Sequence, residues 1–362
     1  MVYDMQTLSK IFLGCQLALA AAWAAAPAQA ETTVKIGYPP AWSAVEAAIP
    51  FGETLGFFKQ EGIKLNYVSI QGTGVLLPQV ANGSVEFGIM NADLAVIAAS
   101  KDEPFPVKFF YNFYPRNIFE FVVLEDSPIK ELKDLKGKKL GVGALTWGNL
   151  PMSRMMLRDA GVTWMKDIQV LPVGVGPASW ARLKNGSVDA LNLPSTQHEM
   201  MAQAGTPIRR LAIPSEFQNV FSNGVAASSK LIQENPKLIE GMGRAIAKSQ
   251  VACMANYEAC VKAYWQIDPS SKPAADKQAD WVRTFVAVNK RTADIGELDK
   301  LDGRHGAYTA DDWKAFVTKM KEGEQIANTD FDISQLYTDQ FVKAFNDFDL
   351  DAVRAAARDV KQ

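Results

Sequence analysis

The residues of this chain that could carry out covalent or metal chemistry are not spaced as a reactive site. Ser195 and His198 lie three positions apart, but no Gly-x-Ser-x-Gly turn surrounds the serine. The chain has two histidines, His198 and His305, and no Cys-x-x-Cys or His-Glu-x-x-His spacing that would hold a metal. We therefore expect no catalytic residue, no metal and no other cofactor, and we expect His198 to be a packing or surface residue.

Two cysteines lie close enough in sequence to raise the question of a disulfide. Cys253 and Cys260 are seven residues apart in a stretch, 231–264, whose pattern predicts a helix. Seven residues of a continuous helix rise by about 10.5 Å, which exceeds the roughly 7 Å between Cα atoms that a disulfide tolerates. We therefore predict two buried, unpaired thiols, with a bridge as the alternative.

Glycine pairs in two loops indicate non-covalent ligand binding. The tripeptides Gly72-Thr73-Gly74 and Gly174-Val175-Gly176 each precede a predicted helix. The start of a helix offers unpaired N–H groups and partial positive charge, which suit a carboxylate, sulfonate or phosphate. Glycine also lets the backbone approach a ligand closely, although a simple turn that needs glycine is the alternative. The phosphate-loop pattern Gly-x-x-x-x-Gly-Lys-Ser/Thr is missing.

Tryptophans in two further loops could stack on a planar solute. Trp42 and Trp147 lie in segments rich in Pro or Gly and outside any periodic helix face. Rings that approach from two sides would sandwich an aromatic or apolar ligand, and such stacking contributes about 0.5–1.5 kcal/mol beyond burial. Packing in the core is the alternative for both residues.

The elements that must position these loops occur twice in the sequence. The tetrapeptide at 35–38 recurs at 139–142, and Asn82-Gly83-Ser84-Val85-Glu86 recurs as Asn185-Gly186-Ser187-Val188-Asp189. The offsets are 104 and 103, and the two glycine tripeptides match at an offset of 102. Features in register within two residues predict two copies of one supersecondary unit.

Each copy reads as strands that alternate with helices. In the first copy we predict strands at 34–38, 63–70 and 85–90, with helices at 45–60 and 75–81. In the second we predict strands at 140–144, 168–173 and 188–193, with helices at 153–159 and 178–184. Alternation of this kind predicts an α/β fold with mainly parallel sheets.

Segments outside the copies complete the predicted organisation. Extended runs at 107–124 and 220–228 are the natural crossings between two lobes, and the chain turns helical after Ser229. We expect the C-terminal helices to pack on the lobe that starts at Glu31. The predicted domains are therefore a signal peptide at 1–30, a discontinuous first lobe at 31–112 with 223–362, and a second lobe at 113–222.

Ligands of open α/β sheets bind beyond the carboxyl ends of the strands, and this rule selects six loops. The loops follow the three strands of each copy, and we add one residue of the crossing segment that could face the cleft. No Arg or Lys lies in these loops, which favours an organic solute with an aromatic or heterocyclic part over a small inorganic anion. The candidate ligand-binding residues are Tyr38, Trp42, Gly72, Thr73, Gly74, Asn91, Ala92, Asp93, Asn112, Thr146, Trp147, Gly148, Asn149, Gly176, Pro194 and Ser195.

The N-terminus reads as a secretory signal. Lys10 precedes an apolar run at 11–26, and Ala28-Gln29-Ala30 fits an A-x-A cleavage site. The run is short for a membrane span, and no later segment reaches about 18 uninterrupted apolar residues. We expect cleavage near Ala30 and export to the periplasm, with an uncleaved N-terminal anchor as the alternative.

Length and charge narrow the class of protein further. The 362-residue chain is 48% hydrophobic and can bury an ample core. Its length exceeds the usual size of a single core, so two lobes are expected. Its net charge is −2, and this balance gives no indication of a nucleic-acid or anionic-membrane partner.

Three segments together resemble a known family. They are 56–63 (GFFKQEGI), 132–142 (LKDLKGKKLGV) and the two Asn-Gly-Ser-Val turns. They resemble the sulfonate, nitrate and taurine class of ABC transporter substrate-binding proteins, which also includes binders of hydroxymethylpyrimidine and of aromatic acids. The resemblance covers nearly the whole mature chain. It implies a two-lobed periplasmic-binding-protein fold of type II with a two-strand hinge, a small-molecule solute, and a permease in the inner membrane as the partner of a monomer.

Two other classes of function remain open at this stage. The same fold occurs in pyrimidine synthases, but those carry a Cys-rich iron motif that this chain does not have. A ligand-sensing docking protein would use the same lobe closure and would leave no sequence motif. A binding component that closes about a hinge is the interpretation that the loops favour.

Overall fold

Ten strands form two five-stranded sheets in the part of the chain that the structure describes, residues 31–39, 42–101, 105–328 and 330–360 of a computed structural model. The first sheet has the order β2-β1-β3-β10-β4, and the second has the order β7-β6-β8-β5-β9. The first sheet contains β1 Thr32–Tyr38, β2 Ile63–Ser69, β3 Phe87–Asn91, β4 Val107–Asn112 and β10 Asn223–Ser228. The second contains β5 Phe119–Leu124, β6 Lys139–Val142, β7 Gln169–Pro172, β8 Ala190–Pro194 and β9 Ile208–Leu211.

One strand in each sheet runs against its neighbours. Strand β1 is parallel to β3, whereas β10 is antiparallel to both β3 and β4. In the second sheet β6 is parallel to β7 and β8, whereas β5 is antiparallel to β8 and β9. Strands β5 and β10 are the first strands after the chain crosses from one sheet to the other, so each enters its sheet from the opposite side. The sheets are therefore mixed, around a parallel centre.

Helices cover these sheets and account for most of the C-terminal third. The inner strands are mostly apolar, and every residue of β3 and β10 is buried. Among the described residues there are also six short 3₁₀ helices, at Ala44–Glu46, Leu132–Leu135, Pro269–Ser271, Ala275–Lys277, Leu298–Lys300 and Ile333–Gln335. The α-helices are α1 Ala48–Thr54, α2 Phe57–Gln60, α3 Thr73–Ala81, α4 Asp93–Ala99, α5 Leu150–Asp159, α6 Pro177–Lys184, α7 Ser195–Gln203, α8 Ser215–Gln218, α9 Ser229–Glu234, α10 Pro236–Ala255, α11 Tyr257–Ile267, α12 Gln278–Gly296, α13 Ala310–Glu322, α14 Val342–Phe345 and α15 Leu350–Arg358.

The Asn-Gly-Ser turns of the two sequence copies have the same geometry. The Asn82 side chain accepts a hydrogen bond from the Ser84 amide at 2.9 Å, and Asn185 accepts one from the Ser187 amide at 3.0 Å. The glycine of each turn has a positive φ, 76° in the first copy and 74° in the second. That backbone conformation ends the preceding helix and favours glycine. The predicted repeat is therefore present in the structure.

An acidic side chain joins each turn to the first strand of its copy. Glu86 accepts a hydrogen bond from the Lys35 amide at 2.8 Å, and Asp189 accepts one from the Lys139 amide at the same distance. The glycine tripeptides are aligned differently from the prediction. Gly72 precedes α3 and Gly176 precedes α6, so the equivalent positions are 104 residues apart and not 102.

The long helices predicted at 45–60 and 231–264 are each interrupted. The first consists of a 3₁₀ turn, α1 and α2, and Gly56 with φ 75° separates the last two. The second breaks at Asn235 and Asn256, which lie outside the helical region at (φ, ψ) of (−132°, 57°) and (−154°, 78°). The Asn256 side chain accepts a hydrogen bond from the Ala259 amide and so begins a new helix.

The break at Asn256 reverses our prediction for the cysteines. Cys253 is in α10 and Cys260 is in α11, and the change in chain direction brings their Cα atoms to 5.1 Å. The two residues form a disulfide. The prediction of unpaired thiols was wrong because it assumed one continuous helix, along which these atoms would lie about 10.5 Å apart.

The C-terminal helices do not all pack on the first sheet alone. Helix α12 lies against α11 and also against α7, which follows β8 of the second sheet. Gly323, just after α13, lies against Met155 of α5. The expectation that these helices pack on the first lobe was therefore incomplete. The predicted lobe boundaries at 112/113 and 222/223 stay a prediction, and the predicted signal peptide lies outside the described residues.

The two crossings between the sheets are hydrogen-bonded to each other. The amides of Phe113 and Tyr114 donate to the carbonyl of Asn223 at 3.2 and 2.9 Å, and the Ser222 amide donates to the Tyr114 carbonyl at 2.9 Å. The Gln250 side chain of α10 donates to the Phe113 carbonyl at 3.2 Å. This pair of extended segments forms the hinge that the sequence predicts. In the part of the chain that the structure describes, no helix is sufficiently long and apolar for a membrane span.

We predict that replacing both cysteines, Cys253→Ala with Cys260→Ala, lowers the free energy of unfolding by roughly 2–3 kcal/mol, because the bridge reduces the conformational entropy of the unfolded chain. Thermal or denaturant unfolding measures the change. Dithiothreitol should destabilise the wild type by a similar amount and leave the double variant unaffected. Equal stability of the two proteins under oxidising conditions would contradict the disulfide.

Candidate functional site

A small cavity with both polar and apolar walls lies where the two sheets meet in front of the hinge. Its volume is about 10 Å³, which is roughly the space that one water molecule needs. A drug-sized ligand pocket holds about 300–1,000 Å³, so no organic solute fits in this cavity in this conformation. The cavity is lined by Asn91, Asp93, Asn117, Phe119, Asn149, Met152, Ser153, Met156, Val220, Phe221 and Ser222.

The second loop of the first lobe touches the first loop of the second lobe beside this cavity. The Gly74 amide donates to the Thr146 carbonyl at 3.2 Å, and the Thr146 hydroxyl donates to the Gln71 carbonyl at 3.0 Å. Gly72 has φ 96°, and a Cβ there would lie 2.9 Å from the Thr146 carbonyl oxygen. Glycine at position 72 is therefore required for this approach of the lobes as well as for the turn.

A second close approach involves Gly148 in the loop of the second lobe. A Cβ at that position would lie 2.8 Å from the Thr73 hydroxyl and 3.0 Å from the Asn91 Cβ. The residues predicted from the glycine-rich loops are thus brought together in space. In this conformation, however, they contact each other across the lobes.

A buried carboxylate also joins the lobes. Asp93 is the first residue of α4, and its Oδ1 accepts a hydrogen bond from the Met152 amide in the first turn of α5 at 3.1 Å. Burial raises the pKa of Asp93 to about 7, and hydrogen bonds from the amides of Met152 and of Asp93 itself oppose that shift. Asp93 thus occupies the N-terminal end of α5, a position that attracts negative charge.

Asn149 holds the opposite wall of the cavity through a network of side chains. Its side-chain Nδ2 donates to the Ser153 hydroxyl at 3.3 Å and to Asn192 Oδ1 at 3.4 Å. Ser153 in turn donates to Asn192 at 2.7 Å, and Asn192 donates to the Glu120 carbonyl at 3.2 Å. The Oδ1 atom of Asn149 is buried and has no hydrogen-bond partner among the described residues. It is an acceptor held in place without a donor.

The two candidate tryptophans have aromatic and backbone neighbours of their own. The Trp42 ring lies 4.8 Å from Tyr67 and 5.4 Å from Tyr38, and its Nε1 donates to the Val68 carbonyl at 3.2 Å. The Trp147 ring packs over Gly143, where a Cβ would lie 2.1 Å from the indole. Neither tryptophan is among the residues that line the cavity.

Several other predicted residues lie outside the cavity lining. Asn112 donates to the Ala307 carbonyl at 3.1 Å in the C-terminal region, and the Gly176 amide donates to the Gln197 side chain at 2.9 Å. The Ser195 amide donates to the Ile118 carbonyl at 2.7 Å, while its buried hydroxyl has no partner among the described residues. Ala92 and Pro194 precede α4 and α7, respectively, as N-terminal capping positions. Their predicted roles in binding stay predictions.

On β5 of the second sheet, an ion network surrounds Glu120. Its carboxylate accepts hydrogen bonds from Arg210 at 3.0 Å and from Arg291 of α12 at 2.6 Å. Burial acts to raise the pKa of Glu120, but His198 and the two arginines outweigh it and lower the pKa to about 2. Burial lowers the pKa of His198, so its ring is neutral near pH 7 and contacts Glu120 from a fully buried position. His198 is therefore a packing residue, as predicted.

The loop that carries Trp42 encloses a second buried carboxyl. Glu46 accepts hydrogen bonds from the Ser43 hydroxyl at 3.2 Å and from the Ser43 amide at 3.3 Å, and the second of these is one half of a capping box. Burial raises the pKa of Glu46 to about 7, and its hydrogen bonds only partly oppose that shift. Glu46 does not line the cavity between the sheets.

A family model described as NMT1/THI5 like matches residues 46–259, more than half of the chain. The chain belongs to the NMT1/THI5-like family. This assignment, together with the similarity to solved structures of such proteins, confirms the resemblance to ABC transporter substrate-binding proteins. No curated protein sequence matches the chain.

Solved structures share the fold of this NMT1/THI5-like protein at low sequence identity. The alkanesulfonate-binding protein SsuA of Xanthomonas axonopodis pv. citri, bound to MOPS, is 16% identical with a TM-score of 0.63, over 86% of this chain and 99% of that chain. The nitrate-binding protein NrtA of Synechocystis PCC 6803 is 12% identical with a TM-score of 0.55, over 92% and 99%. The desulfurization enzyme DSZB is 16% identical with a TM-score of 0.52, over 86% and 98%. The predicted two-lobed α/β fold is confirmed.

Sequence reasoning missed most of the residues that line the cavity of this NMT1/THI5-like protein. It found Asn91, Asp93 and Asn149, which follow strands of the two copies. The missed residues come from the first two turns of α5 and from the crossings, where the rule of strand ends does not apply. One signal was available, because segments that connect two lobes must pass along the floor of the cleft between them. The missed residues are Asn117, Phe119, Met152, Ser153, Met156, Val220, Phe221 and Ser222.

We predict that Glu46→Gln stabilises this NMT1/THI5-like protein at pH 8 and has little effect at pH 4.5. A carboxyl whose pKa is raised in the folded state binds a proton there more tightly than in the unfolded chain. Wild-type stability therefore falls as the pH rises from about 4.5 to about 7, by on the order of 1.4 kcal/mol for each pKa unit. Glutamine keeps the acceptor for Ser43 without the charge.

Thermal unfolding at several pH values checks this expectation. The exposed residue Asp126 supplies the matched control, since Asp126→Asn should shift the melting temperature by a similar small amount at each pH. A difference between Glu46→Gln and wild type that does not change with pH would show that Glu46 is not buried as described.

Proposed function

We propose that this protein is the extracytoplasmic solute-binding component of an ABC importer. It captures a small organic solute between its two lobes and delivers it to a permease in the inner membrane. The observation that carries the proposal is the cavity of about 10 Å³ between the two sheets. A cavity that cannot admit a solute unless the lobes separate is what a hinge-closing binding protein requires.

The hinge supports the same mechanism. Two extended segments join the sheets, and their mutual hydrogen bonds keep the axis of rotation in one place. The loops opposite the hinge contact each other through polar groups, namely Asp93 with Met152, Gly74 with Thr146 and Thr146 with Gln71. Each of these hydrogen bonds contributes little net free energy, because water would take its place when the lobes open. A bound solute can therefore shift the balance between open and closed lobes.

We place the protein in the periplasm as a monomer. The disulfide between Cys253 and Cys260 supports an oxidising compartment, since such bridges are rare where thiols are kept reduced. The predicted signal peptide at 1–30 would direct the chain there.

We propose binding without catalysis, although the desulfurization enzyme DSZB has the same fold. Among the described residues that line the cavity, Asp93 is the one ionisable side chain. A nucleophile activated by a neighbouring base is not present in that set. Fold similarity alone assigns no chemistry to the site.

We predict that Gly74→Cys with Thr146→Cys forms a disulfide that holds the lobes closed. A Cβ at Gly74 would lie 3.8 Å from the Thr146 Cβ, which is about the mean separation in disulfides. In small-angle scattering without solute, the oxidised double variant should have a smaller radius of gyration than wild type. Reduction should abolish the difference.

The two single variants and wild type, each with and without the same reductant, are the controls, because they contain the Cys253–Cys260 bridge and show the effect of reducing it alone. Equal radii for wild type and the oxidised double variant would mean that the lobes do not separate, and this would contradict the proposed mechanism.

A thermal-shift screen of small metabolites, followed by calorimetry and scattering on each hit, tests the function itself. We expect one class of solute to bind at one site per chain and to make the protein more compact. Chemical conversion of the solute, or binding without compaction, would argue against the proposal.

A further inference from the structure

The cavity between the lobes presents acceptors that its own walls do not satisfy. Asp93 and Asn149 face it from opposite lobes, and each is only 2% exposed. Asn149 Oδ1 has no partner in the described part of the chain. A carboxylate has about four acceptor positions, and the Met152 amide uses one of those on Asp93. A buried acceptor without a donor costs about 1–3 kcal/mol, so a solute that supplies donors relieves that cost.

The walls of this cavity provide few favourable interactions for an anion. Asn, Ser, Met, Phe, Val and Asp93 make up the lining, and none of the described lining residues carries positive charge. The helix start that would attract an anion, that of α5, is already capped by Asp93. Pro151 at its second position has no N–H to donate. An anionic solute would therefore have to displace a carboxylate or lie beside it without a counter-charge.

Apolar side chains complete the cavity. Phe119, Phe221 and Met156 lie among the lining residues and belong to the hinge region and to α5. Rings and thioethers suit the flat faces of a planar ligand. The polar and apolar groups together describe a planar solute with donors at its edge.

We propose that the cleft selects small planar solutes that donate hydrogen bonds from nitrogen, neutral or cationic, with Asp93 and Asn149 as the acceptors. This inference rests on the proposed solute-binding function and names its ligand class. The sequence predicts an organic solute, and this inference restricts that class to solutes that are not anionic.

The electrostatics of Asp93 agree with this assignment. Burial raises the pKa of this carboxyl because only backbone amides compensate for the water it has lost. A donor nitrogen, above all a cationic one, would supply the missing interaction with the carboxylate.

Matched pairs of probes test the ligand class. Benzamidine and benzoate have similar shapes and opposite charges, and 2-aminopyridine and benzenesulfonate add a neutral donor and a second anion. By isothermal titration calorimetry on the full mature chain, we expect the two donors to bind at least about tenfold more tightly than the two anions.

Variants then test the assigned acceptor. Asp93→Asn keeps an oxygen for the Met152 amide and removes the charge, so benzamidine binding should weaken by about tenfold or more while benzoate binding does not weaken. Glu46→Gln is the matched control, because it removes a buried carboxyl that does not line the cavity, and it should leave both affinities unchanged.

Three results would overturn the inference. They are an anion that binds wild type as tightly as its matched donor, the failure of both donors to bind, and full retention of benzamidine affinity by Asp93→Asn. The solute-binding function fails separately, if no compound of any charge in the wider screen binds and compacts the protein. The two failures are therefore distinguishable.

Discussion

The structure depends on the way the chain passes twice between its sheets. Each crossing continues into a strand, β5 or β10, that enters an otherwise parallel sheet from the opposite side. The crossings bond to each other through Tyr114, Ser222 and Asn223, so both lobes are joined at one line. In the proposed function the lobes would rotate about that line, and opening would give a solute access to the cavity in front of the crossings.

Closure in this structure leaves polar groups buried that a purely structural interface would not need. Asp93 lies between the lobes with backbone amides as its compensation, and Asn149 has an acceptor without a donor. Each of these features reduces the stability of the closed form. Local conflicts of this kind are concentrated at functional sites, because a ligand resolves them when it binds. The Glu120 network on β5, by contrast, pairs its carboxylate with two arginines and with His198.

Much of the fold follows from local sequence. The Asn-Gly-Ser turns at 82–84 and 185–187 ended their helices as predicted, because only a short polar side chain and a glycine suit that geometry. Their recurrence near 104 residues predicted the two sheets. The candidate site was predicted less well. Asn91, Asp93 and Asn149 line the cavity, whereas Trp42 and Trp147 lie outside its lining, since the chemistry of an aromatic ring does not reveal whether it packs or binds.

The sequence by itself determined the repeated strand–helix units, the crossings and the loops that meet at the cleft, because turns, caps and apolar periodicity act over a few neighbouring residues. Tertiary structure decided the disulfide, since one residue, Asn256, changed the direction of a helix and brought Cys253 to Cys260. It also decided that Asp93 caps α5 across the lobes. Both contacts depend on where distant segments are placed, and a local pattern carries no information about that placement.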